Sequence, residues 1–198
     1  MLNLLFGIGL SMVLVPGLAS STNPAAAEAM KAPHLQPVYH VPLRIHLGQS
    51  GRPLAEWPPV LAEINHIWLS QDAICFEIHT VDHDEELGHG LDLWFTSFIP
   101  QWNGYYRDPN DMHVRDEPDL RPALRPAESA AARTAAHEIG HALGLGHRQD
   151  SDDNLMRSKT YGWQLHPAEI KQARQAAPHF ALEKTSGSCG PPAMHNRL

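Results

Sequence analysis

The stretch HEIGHALGLGH, residues 137–147, decides how this chain is read. It ends an alanine-rich run, ESAAARTAAHEIGHALG (128–144), which is the strongest helix signal in the sequence. On a helix, His137 and His141 are four positions apart and project from one face, so both imidazoles can share a metal ion. Glu138 stands next to the first of them and can face the ion's open position, where a base for a bound water is needed. Gly144 can take the left-handed backbone that ends a helix and reverses the chain. The reversal would bring back His147, which a continuing helix would carry elsewhere. Three imidazoles and one open position describe a catalytic zinc site rather than a closed structural one.

Upstream of the helix, the patterning alternates between strand and helix. VPLRIHL (41–47) places Val41, Leu43, Ile45 and Leu47 on one face of a strand. Between Leu54 and Ser70, apolar residues at Val60, Leu61, Ile64, Ile67 and Trp68 follow a helical spacing, with Pro58 and Pro59 suited to its first turn. ICFEIHTV (74–81) and LDLWFTSFI (91–99) read as strands, and MHVRD (112–116) as a short, exposed one. The acidic DHDEELGHG (82–90) and PQWNGYYRDPND (100–111) read as loops. A shorter helix is expected from Pro167 to Ala177. No repeat or linker divides the chain.

Composition narrows the class. The 198 residues are 42% hydrophobic and 19% charged, enough for one sizeable core. A formal charge of -7, with no long basic run, argues against a nucleic-acid partner. The first 19 residues, MLNLLFGIGLSMVLVPGLA, are apolar and uncharged and read as a signal peptide, although they lack the usual basic start. Residues 1–27 are assigned to it, with cleavage after Ala19 or Ala27, and residues 28–37 to a leader rich in Ala and Pro. A membrane anchor is the rival reading, but the run is short for a bilayer. The expected location is therefore secreted or periplasmic, with no stable membrane association after cleavage. In that setting Cys75 and Cys189 could pair; the alternative is a buried thiol at Cys75 and a free one in the tail, residues 181–198.

HEIGHALGLGH matches HExxHxxGxxH and thereby resembles the metzincin zinc peptidases. With Ala136 in front, the run AHEIGHALGLGH looks most like the matrixin branch. The resemblance makes His137, His141 and His147 the zinc ligands and Glu138 the catalytic base and acid. Met156, in DDNLMRS, stands where the family has a methionine turn beneath its zinc. EINHIWLSQDAICFEI (63–78) is similar to the matrixin helix-to-strand passage, and GWQLHPAEIKQAR (162–174) to the final helix, with His166 in the capping position. Together the likeness spans residues 40–177.

The implied fold is α+β and zincin-like: a twisted mixed sheet on two long helices within a domain at residues 38–180. A small C-terminal part would hold the methionine turn and the final helix. The implied activity is a zinc-dependent endopeptidase acting on peptide or protein substrates laid along an edge strand. A non-catalytic zinc-binding protein on the same fold, or a metallohydrolase of non-peptide amides, are the alternatives.

Several positions depart from the matrixin pattern. Arg148 follows the third histidine where Ser is usual, no PRCGxPD latency segment is present, and Ser158 stands where some metzincins carry an oxyanion-steadying Tyr. NDMHVRDE (110–117) resembles a segment that binds structural zinc through a histidine, here His113, and calcium through acids, here Asp111, Asp116 or Glu117. His83 and His89 are the further histidines nearby. The residues themselves read first as a solvated acidic loop. Trp163 and Leu165 are candidates for the side-chain pocket wall, or else core.

Overall fold

The computed structural model describes residues 37–81, 89–107, 109–120, 128–159, 162–181 and 189. The expected signal segment, nearly all of the leader, His83 and most of the tail lie outside the described residues. Five strands and three helices follow one another as β1 (Tyr39–Gln49), α1 (Trp57–Asp72), β2 (Ile74–Val81), β3 (Leu91–Thr96), β4 (Gly104–Arg107), β5 (Asp111–Arg115), α2 (Ala130–Ala142) and α3 (Pro167–Ala176). The sheet order is β2-β1-β3-β5-β4, parallel except for β4, which runs antiparallel to β5. This is the mixed sheet on two long helices that the sequence implies.

Strand periodicity explains the layering. Val41, Leu43 and Ile45 of β1, Leu91, Leu93 and Phe95 of β3, and Met112 and Val114 of β5 are fully buried, and form one core with the apolar stripe of α1 and with Ala132, Ala135, Ala136 and Ile139 of α2. α1 begins with the prolines in its first turn and ends at Ala73, whose φ of 51° reverses the chain into β2. Asn65 fastens that helix to the strand: its Nδ2 donates to Phe76 O at 2.9 Å and its Oδ1 accepts from Phe76 N at 2.7 Å. These two bonds satisfy a buried amide that would otherwise be costly.

The alternate face of the sheet is polar yet covered. Arg44 of β1 grips Asp92 of β3 through both carboxylate oxygens, and His46 Nε2 stands 2.9 Å from Asp92 Oδ1. Burial pushes the Asp92 carboxyl up, but bonds from Arg44 and His46 and their charges outweigh it, and the net position is below the usual carboxylate range. A row of rings continues toward the edge: His46 stacks on Trp94 at 3.7 Å, Trp94 on His113 at 5.9 Å and His113 on Tyr105 at 4.7 Å.

Three expectations change. GYYR, inside the expected loop 100–111, is the edge strand β4. With β4 paired outside it, β5 becomes an interior strand, so MHVRD is not exposed. β3 ends at Thr96, short of Ile99. The cysteines are also decided: Cys75 and Cys189 form a disulfide that closes over 114 residues, so neither is a free thiol.

Candidate metal centre and catalytic cleft

α2 starts at Ser129, whose hydroxyl accepts from Ala132 N at 3.2 Å, and carries His137, Glu138 and His141 in its last turns. Its end is a Schellman turn: Leu145 N donates to Gly140 O at 2.8 Å and Gly144 N to His141 O at 2.9 Å, with Gly144 at φ 83°. The turn brings His147 back. The three Nε2 atoms then lie 3.1, 3.2 and 3.2 Å apart.

The tautomers show what this trio is built for. His137 Nδ1 donates to Leu155 O at 2.7 Å and His141 Nδ1 to Leu145 O at 2.8 Å. A carbonyl oxygen only accepts, so these Nδ1 atoms carry the protons and the Nε2 atoms of both rings are bare lone pairs. Two bare nitrogens 3.1 Å apart have no proton to share and repel unless a cation sits between them. Tetrahedral zinc with Zn–N bonds of about 2.0–2.1 Å separates its ligands by about 3.3–3.4 Å, so the trio fits that ion. Burial pushes the His137 imidazole down to about 4; the bond to Leu155 opposes this, while the His141 and His147 charges add to it. His141 is lowered chiefly by burial as well. Both rings are therefore neutral at ordinary pH.

Beneath the helix lies Met156. A Cβ at Gly140 would collide with Met156 Sδ and meet Cε at 2.9 Å, so the glycine within the HEIGH run is the space the methionine occupies. The turn around it is held by Arg148 N donating to Met156 O at 2.9 Å and Met156 N to Asn154 Oδ1 at 2.8 Å. Leu155, whose carbonyl orients His137, belongs to the same turn.

Glu138 opens into a cleft of about 1040 Å³. One wall comes from Gln101–Tyr106, Asp119 and Leu120, the other from Gly144–His147 and Arg157–Lys159, with the histidines and Thr134 between. Asn103 and Asp119 exchange two backbone–side-chain bonds, at 2.9 and 3.2 Å, that hold the first wall together. β4 comes very close to the helix here: a Cβ at Gly104 would stand 2.9 Å from Glu138 Oε1. Burial raises the Glu138 carboxyl to about 8.

His137, Glu138, His141 and His147 are thus brought together as expected. The His113 segment is arranged differently. His113 is half-buried between the Trp94 and Tyr105 rings, and Asp116 is buried, accepting from Gly51 N at 2.6 Å and Ser50 Oγ at 3.1 Å, so it is a turn anchor and not part of a solvated loop. Leu165 is buried in the core and Trp163 packs against it, so neither forms the cleft wall. Two features escaped sequence reasoning. Gly104 read as a loop glycine, because its closeness to Glu138 depends on β4 pairing. Arg157 and Lys159 carried no reading in the sequence, although two cations immediately after a methionine turn are a usable signal.

Comparison with known proteins bears on the family and the fold. A peptidase family model described as Matrixin matches residues 66–174. Among solved structures, archaemetzincin from Methanopyrus kandleri superposes with a TM-score of 0.50 at 15% identity, over 70% of this chain and 96% of that one. At that identity the likeness is one of fold. No curated protein matches the chain.

Proposed function

Because this chain belongs to the matrixin family, a family of zinc metallopeptidases, we propose that it is an endopeptidase in which His137, His141 and His147 hold zinc and Glu138 moves the proton. The observation that carries this reading is the trio of Nε2 atoms 3.1–3.2 Å apart with a buried carboxyl beside it in an open cleft. When bound, zinc supplies the Lewis acidity that polarises a scissile carbonyl and brings the pKa of a coordinated water toward about 7. Glu138 takes the proton of the attacking water and returns it to the leaving amine. Burial raises its carboxyl to about 8, and a cation held by the three histidines beside it would favour the carboxylate and lower that value. An extended substrate adds to the free edge of β4, where backbone hydrogen bonds hold it in register beside Glu138.

Export from the cytoplasm is part of the same proposal. It is supported by the apolar leader and by the Cys75–Cys189 disulfide, which persists in oxidising compartments. Among the described residues no helix is long and apolar enough to cross a membrane. N-terminal sequencing of protein recovered from the medium or periplasm tests it; recovery only from the cytoplasm with an intact leader defeats it.

The enzymatic test is direct. Purified protein is expected to hold about one zinc and to cleave unfolded protein or a peptide library. Chelation should abolish cleavage and added zinc restore it. Glu138→Ala should keep the zinc and lose at least about a hundredfold in kcat. Zinc-loaded protein that cleaves nothing across broad substrates would favour a binding protein on this fold.

A further inference from the structure

Hydrolysis as just described makes no use of the segment that directly follows the methionine turn. Arg157, Ser158 and Lys159 line the same cleft as the three histidines. Two cations within three residues are notable on a chain of formal charge -7, whose overall field disfavours anionic ligands. The two are held differently. Arg157 Nη1 donates to Gln149 O at 3.0 Å and stands 3.1 Å from a carboxylate oxygen of Asp152, which fixes the guanidinium against the wall. Asp152 offsets part of the Arg157 charge, which leaves Lys159 as the main cation of the segment. Lys159 is exposed, and among the described residues its ammonium has neither an ion-pair nor a hydrogen-bond partner.

The other charges in the cleft make the arrangement one-sided. Its acidic lining residues are Glu138, beside the histidines, and Asp119, which is tied by its backbone to Asn103 on the other wall. Residues 157–159 are therefore a cationic rim of the cleft, whose lining they share with Trp102, Tyr105 and Asp119. A peptide extended along β4 points alternate side chains in opposite directions, so one set is directed across the cleft toward this rim. An ammonium at the border of a partly desolvated cleft attracts a carboxylate more strongly than it would in open solvent.

We propose that Lys159, backed by Arg157, forms a carboxylate-binding subsite of the cleft, which selects peptides presenting an acidic group next to the scissile bond. The carboxylate is that of an Asp or Glu side chain or that of a free C-terminus. This inference rests on the peptidase reading above and deepens it by naming a substrate class.

The test uses the zinc-loaded full chain and one cleavable library peptide made with Glu, Gln or Lys at each position flanking the cleaved bond, as free acid and as amide. At low salt the wild type is expected to show kcat/KM about fivefold higher for Glu than for Gln at one flanking position, or for acid than for amide, and the preference should shrink as salt rises. The first pattern identifies a side-chain carboxylate and the second a C-terminal one. Lys159→Gln should abolish the preference and Lys159→Glu should turn it toward Lys. Because Lys159 is exposed, both variants are expected to fold, which equal zinc content and equal melting temperature would establish. Equal rates across the series in the wild type, or a preference that survives Lys159→Glu, would overturn the subsite while leaving the peptidase reading intact. Cleavage of none of the peptides would overturn both.

Discussion

The metal-side wall of the cleft is built from one short stretch, residues 137–159, in which a helix, a glycine turn and a methionine turn close on themselves. The facing wall, residues 101–106 with 119–120, has no such local logic: it stands where it does because β4 pairs with β5, which in turn pairs with β3. One wall holds the three clustered histidines and the other sets the space around Glu138. Damage to the histidines and the turns that hold them should therefore appear in metal binding and stability, and damage to Glu138 or to the wall that borders it in rate.

Glu138→Ala is the sharpest cut between metal binding and rate, since it should lose turnover with the zinc still bound. Next in size is Gly140→Ala. The new Cβ would collide with Met156 Sδ, and the helix and methionine turn would have to separate. A loss of about 1–3 kcal/mol in unfolding free energy is expected from such overpacking, with weaker zinc binding because Leu155 O would leave His137 Nδ1. Denaturant unfolding and zinc titration measure both; unchanged zinc affinity would break the claim that the turn orients the ligand.

Gly104→Ala probes the facing wall. Its Cβ would press on Glu138 Oε1 and Thr134 Cγ2, both at 2.9 Å. The expected result is a fall in kcat of about tenfold, from a misplaced base, with zinc content unchanged. If Gly104→Ala instead lost zinc before rate, the two walls would not be separable.

The smallest effect comes from a charge remote from both walls. Desolvation raises the Asp72 carboxyl at the end of α1 from 3.8 to about 7, although the Arg174 charge opposes this. A raised folded-state value stabilises the protein fully below the unfolded value; that stability is lost as pH rises through about 7. Asp72→Asn should therefore remove one component of the decline between pH 4 and 7. At pH 8 it should melt about 2–4 °C higher than the wild type. Glu63, also raised to about 7 by burial despite the Ser129 bond, should leave part of the slope in place. A wild-type and Asp72→Asn pair of melting curves that stayed parallel from pH 4 to 8 would count against a buried charge at Asp72.

Much of the core was legible because its code is periodic. Alternation picked out β1, β-branched and aromatic content picked out β2, and the 3-4-3 spacing of Val60, Leu61, Ile64, Ile67 and Trp68 picked out α1. β4 was not legible: GYYR is too short for a period and sits among turn residues, so its identity as a strand depends on Val114, His113, Met112 and Asp111 across from it. For the same reason MHVRD read as exposed, although its partners make it interior.

The sequence by itself determined the reactive trio. His137 and His141 are tied by the helical repeat, Gly144 permits the positive φ that returns His147, and Met156 follows within reach. All of these act over a few bonds, where covalent geometry leaves little choice. Only the tertiary structure decided that Gly104 borders Glu138, that Cys75 meets Cys189 and that Lys159 faces the cleft. Each of those depends on residues brought together by core burial and strand pairing, whose partners no local pattern specifies.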